Sequence, residues 1–230
     1  MQVLRPRALP LFAVALLGTA SLAHAERPLS VDDAGTLDKG GAKLEAGWSK
    51  DDEAKGYDAA AGFSPIENLE LEIGFGRSRD FATAGNEATN GHGHGLALKW
   101  VPLQSETGLS AGLKYEYGRD RTEGESAYVN SLTGLLTWTF EGGQMVHTNL
   151  GREVTREDGD TDAVNTWGVA VDLPLTEKLS FVAETFGNED SRPDRAIGLR
   201  YEIVEGVKIS AAVGHGNDRS FANAGIGWEF

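Results

Sequence analysis

From Ala42 to the end of the chain one pattern repeats: short stretches in which apolar and polar side chains alternate, each bounded by clusters of Gly, Pro, Asp, Asn or Ser. Leu69, Leu71, Ile73 and Phe75 oppose Glu70, Glu72 and Gly74, a period of two that no helix produces. In the same way Tyr57, Ala59, Ala61 and Phe63 oppose Asp58 and Gly62. Twelve such stretches are legible, near 42–49, 57–63, 69–75, 94–101, 108–117, 127–140, 145–154, 163–173, 179–187, 196–204, 207–213 and 220–230. They recur about every 16 to 18 residues and predict an all-β chain of about 12 antiparallel strands.

The connections fall into two kinds that alternate in strict order. Residues 64–68, 102–106, 141–143, 174–177 and 204–206 are short and often contain proline, as tight turns do. Residues 50–56, 79–91, 119–126, 156–162, 188–195 and 215–220 are charged and generally longer. Greek-key crossovers give no reason for this segregation. An up-and-down antiparallel transmembrane β-barrel does, with short periplasmic turns and long outer loops, and an even strand number then leaves both termini periplasmic.

Aromatic positions sharpen the expectation. Counted from the turns, Phe63, Trp100, Trp138, Phe140, Tyr201, Trp228 and Phe230 lie near one end of the apolar face. Trp48, Phe75, Tyr115, Tyr117, Tyr128 and Trp167 lie toward the other, with mostly Leu, Ala, Val and Ile between. Two aromatic girdles around an aliphatic band suit rings that settle at lipid headgroup level. The last stretch, Ala222, Ala224, Ile226, Trp228 and Phe230, resembles the terminal signal of bacterial outer-membrane barrels, with Trp228 and Phe230 as the part presented to the barrel assembly machinery.

The other end of the chain agrees with export. Arg5 and Arg7 precede a largely apolar stretch, 8–22, and Ala23-His24-Ala25 offers a small-x-small cleavage site. The predicted organisation is therefore a signal peptide at 1–25, a periplasmic segment or partial plug at 26–41, and a barrel at 42–230, in the outer membrane of a Gram-negative bacterium. Removing the leader takes away two arginines and no acid, leaving 19 basic and 35 acidic side chains and a formal charge of -16. Such a surface disfavours nucleic acid as a partner. The expected partners are outer-membrane lipid, including lipopolysaccharide, and an unidentified small solute. There is no cysteine for disulfides or thiolate metal sites.

On the face opposite the apolar one, alternation places Lys43, Glu45, Asp58, Glu70, Glu72, Lys99, Lys114, Glu116, Asp172, Glu184, Arg200, Glu202, Lys208 and Glu229. One reading is a polar channel whose acidic excess favours cations or neutral solutes. The other is a closed interior in which these charges pair across neighbouring strands.

Catalysis finds little support. His92 and His94 lack an identifiable third metal ligand, His147 lies inward with Asn149 but without a suitably spaced serine, and His215 is isolated. The carboxylates of 157–162 lack the downstream glutamate of a calcium loop. No catalytic residue, metal site or cofactor is expected.

Residues 27–37, with their Asp32-Asp33-Ala34-Gly35-Thr36 core, followed by Lys43-Leu44-Glu45-Ala46-Gly47, resemble the mature N-terminus of the outer-membrane transporter family of the MetA pathway of phenol degradation. The matching motif covers about twenty residues. The resemblance implies passive passage of small, often hydrophobic or aromatic, compounds, and supplies no catalytic residue. A structural or surface-interaction barrel with a closed lumen is the alternative function, and behind it an outer-membrane lipid-modifying or proteolytic enzyme.

Overall fold

The computed structural model describes residues 27–82 and 87–230. The signal-peptide expectation lies outside the described residues. Twelve strands are present: β1 (Ala42–Lys50), β2 (Ala54–Ile66), β3 (Leu69–Asp80), β4 (Asn90–Leu103), β5 (Gly108–Thr122), β6 (Glu125–Thr139), β7 (Met145–Glu157), β8 (Asp160–Pro174), β9 (Leu179–Asn188), β10 (Asp194–Val204), β11 (Val207–Gly216) and β12 (Arg219–Glu229). Each pairs antiparallel with its neighbours in sequence, and β1 closes the barrel against β12. Leu44 faces Trp228 and Trp48 faces Ala224 across that seam. Ala42 and Phe230 exchange backbone hydrogen bonds of 2.8 and 2.9 Å, so the last residue extends the closing ladder.

Alternation sets which side chains go where, because successive residues of a strand point to opposite faces. The outer surface carries the exposed apolar residues: Leu71, Ile73 and Phe75 on β3, Leu96, Leu98 and Trp100 on β4, and Leu109, Leu113 and Tyr115 on β5. A wall of this kind leaves no unpaired sheet edge and presents hydrocarbon-compatible groups outward.

The expected long loops are the main correction. Residues 119–126, 156–162 and 215–220 are largely strand, joined by the two-residue turns Glu123-Gly124, Asp158-Gly159 and Asn217-Asp218. Both central residues of each turn are left-handed, with φ of 52° and 99°, 49° and 90°, and 50° and 60°, the geometry that matches hairpin twist. The charged stretches misled the reading because both faces are polar there, so hydrophobic alternation fades while the ladder continues. Strands β5, β6 and β8 reach 15 residues, against about 9–11 needed to span a bilayer. The wall therefore stands taller at this end.

Leu113 lies mid-band on β5, four residues from both Leu109 and Tyr117 and 45% exposed. Leu113→Arg is expected to weaken folding into phospholipid vesicles by about 2–4 kcal/mol. Urea titration of vesicle-inserted protein measures it; an effect no larger than that of Leu113→Ala would argue that hydrocarbon does not cover this face.

Candidate functional site: the lumen and the segment inside it

Residues 27–41 do not hang below the barrel but run around its inner wall. An extended segment with no ladder of its own must find other partners for its backbone groups. Here the wall supplies them. Glu184 Oε2 accepts from the amides of Ser30 and Val31 at 2.7 and 2.9 Å. Asn149 accepts from the Asp32 amide at 2.7 Å and donates to its carbonyl at 2.8 Å. Thr137 Oγ1 accepts from Ala34 at 2.8 Å, Gln104 from Thr36 at 3.1 Å, and Glu70 from Leu37 at 3.1 Å. Arg200 and Asn223 donate to the carbonyls of Arg27 and Pro28.

Side chains of the segment complete the attachment. The Asp32 carboxylate, 4% exposed as a residue, receives Lys99 Nζ at 2.9 Å on one oxygen and Lys114 Nζ at 2.7 Å on the other. Lys99 also donates to Asp33 at 2.6 Å. Arg27 pairs with Asp58. Burial alone would raise the Asp32 carboxyl, but Lys114 and Lys99 outweigh it and hold the group well below the usual carboxylate range. Asp33 is likewise held low, burial being outweighed by Lys99. Leu29 and Val31 bury against Ala170, Val182 and Phe186, and Ala34 against Val101 and Leu135. Full burial of a side chain the size of Val or Leu is worth about 1.5–3 kcal/mol.

Two places on the wall are shaped for this occupant. A Cβ at Gly168 would sit 2.6 Å from Val31 Cγ2. Gly47 and Gly225 are register partners across the β1–β12 seam, and a Cβ on either would collide with the Arg27 side chain.

Eleven of the fourteen expected inward residues lie inside the barrel, most of them engaged there. Lys43 bridges Glu70 and Glu72 at 2.7 and 2.9 Å, and Asp172 pairs with Arg200 at 2.6 Å. Glu116 accepts from Ser131 and lies 3.5 Å from Lys114, while Glu45 is 9% exposed. The remaining three sit at the turn-end rim. Lys208 and Glu229 are 3.7 Å apart with side chains 31% and 43% exposed, and Glu202 accepts from the Gly206 amide. A cavity of about 10 Å³ remains among Asp32, Lys43, Glu70, Glu72, Ala97, Lys99 and Lys114, room for roughly one water.

The histidines separate. His147 is 3% exposed and hydrogen-bonds Thr137 at 2.9 Å. His92 and His94 point outward on β4 and are exposed. His215 contacts Ser220. Among the described residues no group of three or more His, Cys, Asp or Glu could hold a metal ion. Sequence reading missed Asp32 as the partner of Lys99 and Lys114, and it missed the inward apolar residues Val101, Leu135, Ala170 and Val182. Their one available signal was broken alternation, as in Leu135-Leu136 and Val169-Ala170-Val171.

A closed twelve-stranded up-and-down barrel with an apolar outer band and a charged interior is a transmembrane β-barrel. The chain belongs to the family described as uncharacterised conserved protein UCP029691, whose model matches residues 13–228. No curated protein matches it. Among solved structures it is similar to the COG4313 outer membrane channel from Pseudomonas putida F1, with TM-score 0.64 and 10% identity over 86% of this chain and 98% of that one. The KdgM porin in complex with disordered oligogalacturonate aligns with TM-score 0.58 and 11% identity over 82% and 99%. Outer membrane phospholipase A from Escherichia coli aligns with TM-score 0.51 and 12% identity over 87% and 94%. At these identities the likeness is one of fold, and channels and an enzyme share it.

Asp32→Asn would leave two buried ammonium groups short of their carboxylate, a defect worth about 3–5 kcal/mol. Amides of Ser30 to Leu37 are then expected to exchange hydrogen at least about a hundredfold faster. Hydrogen-exchange mass spectrometry reads this directly; Asp38→Asn, on an exposed residue, should leave the same amides unchanged.

Proposed function

We propose that this protein is a channel of the Gram-negative outer membrane, closed at rest by residues 27–41 and opened when that segment leaves the wall. One observation carries the reading: the segment is hydrogen-bonded or ion-paired to side chains on nine of the twelve strands, yet no strand ladder includes it. Among the described residues only Gly40 and Gly41, at its end next to β1, bond the wall's backbone, through Ser64 at 2.7 and 3.0 Å; the residues before them can leave without disturbing the wall. What remains is a lumen lined by charged and polar groups, as water-filled barrels have. The fold shared with the COG4313 channel and the KdgM porin supports a conducting role. The resemblance of residues 27–47 to the MetA-pathway transporters points to small hydrophobic or aromatic solutes. The aromatic girdles and the terminal Trp228 and Phe230 support insertion by the barrel assembly machinery after export by a cleaved leader.

The filled interior also favours a second reading, a permanently closed barrel with a structural or surface role. Conductance separates the two. In planar bilayers the chain lacking residues 27–38 is expected to conduct at least about tenfold more than the full mature chain. Depression of the Asp32 carboxyl means that its stabilisation is present at neutral pH and fades only as pH falls through and below the ordinary carboxylate range. The full chain should therefore open more often in strong acid. A folded, heat-modifiable deletion barrel that conducts nothing would leave the closed-barrel reading.

A further inference from the structure

The outward face sorts its charges by height and by sign. Along all twelve strands the outward positions carry no Asp or Glu, and every outward cation lies at the end away from the chain termini. Arg77 and Arg79 follow Phe75 on β3, His92 and His94 precede Leu96 on β4, and Arg119 and Arg121 follow Tyr117 on β5. The inward neighbours have the opposite sign or none: Asp80 on β3, and Asp120 between the two β5 arginines.

Register gathers these residues into two rows. Arg77 pairs with His92, and His92 with Arg121. One step toward the apolar band, Phe75 pairs with His94, His94 with Arg119, and Arg119 with Tyr128. Adjacent strands are about 4.8 Å apart and the two rows about 7 Å apart along a strand. Four guanidinium groups with two imidazoles between them thus occupy one patch directly beyond the aromatic girdle. Arg77, Arg79 and Arg121 are exposed, and among the described residues they have no ion-pair partner. Arg119 lies over the Tyr128 ring at 5.3 Å, which steadies it at that level.

From this arrangement we infer that the outward patch on β3–β5 is a binding site for phosphorylated lipid headgroups of the leaflet at the loop end. The inference rests on the outer-membrane reading for where that lipid lies. Its chemistry is complementary: a phosphate on a lipid whose chains lie along the apolar band meets a ring of forked donors at headgroup height. In a chain of formal charge -14, a local surface of only positive sign is the part that such a headgroup can approach. Acidic side chains on the same face would repel it, and there are none on these strands.

The test uses mature protein refolded in neutral detergent, with native mass spectrometry as the readout, so channel conductance plays no part. Diphosphorylated lipid A, its fully dephosphorylated counterpart and inorganic phosphate are the probes. The diphosphorylated lipid should give adducts roughly tenfold more abundant than the dephosphorylated one, and R77Q/R79Q/R119Q/R121Q should lose about tenfold of that binding while keeping heat-modifiable migration. Should the quadruple variant fold poorly, R77Q/R121Q should give about a threefold loss, whereas K178Q at the turn end should give none. Equal adducts with and without lipid phosphate, or with and without the arginines, would overturn the assignment. Displacement of the lipid by equimolar inorganic phosphate would overturn it too, marking a site for the free anion.

Discussion

Every backbone amide and carbonyl removed from water needs a partner, and both layers of this molecule are solutions to that demand. The wall meets it by closure: twelve strands pair in sequence and the β1–β12 seam leaves no edge. The inner segment cannot meet it in the same way, because the wall's ladder groups are already used. Its amides turn instead to side-chain oxygens of Glu184, Asn149, Thr137, Gln104 and Glu70. This gives the inward acids a role that ion selectivity does not require. Glu184 and Glu70 are acceptors for backbone donors, and part of the acidic excess inside the barrel is the complement of an amide-rich strand.

Asp32 fixes the register of that strand against the wall. Its two oxygens divide between Lys99 and Lys114 on adjacent strands, so a shift by one residue would put a valine or a second aspartate where the lysines converge. A buried ion pair of this kind adds little net stability over an apolar replacement, while breaking it is costly. It therefore specifies position more than strength. The apolar contacts of Leu29, Val31 and Ala34 are small and separate, and the hydrogen bonds contribute modestly one by one. Attachment is accurate but divided among many weak parts, which is the arrangement a displaceable segment requires.

Strand number, strand order of face and the aromatic girdles were legible in the sequence because one physical requirement produced them: an apolar face against hydrocarbon and a polar one against the interior. The height of the wall was not. Beyond Tyr117 both faces of β5 are polar, so Arg119 to Thr122 look like a loop although the ladder persists through them. Inward charges were legible as a class, yet their partners were not. Lys99 and Lys114 meet Asp32 from 67 and 82 residues away, a proximity created only when the sheet closes around the segment. Val101, Leu135, Ala170 and Val182 broke the binary pattern for the same reason: they face neither water nor lipid but another stretch of this chain.

The same strand ends that extend the wall also polarise it. On β5 the order Arg119-Asp120-Arg121 places cations outside and a carboxylate inside within three residues, and alternation converts that sequence into a separation of charge across the barrel wall. At the opposite end the outer face carries aromatics and aliphatics, Trp100, Trp138, Tyr201, Trp228 and Phe230, without charge. A barrel with cations at only one end of its lipid-facing surface is asymmetric along its axis. In a bilayer whose leaflets differ in phosphate content the two orientations then differ in energy, through terms of about 1 kcal/mol for each cation near an anionic surface. The strands' own side chains thus mark the two ends of the wall apart, without help from the loops at the cationic end, three of which are two-residue turns.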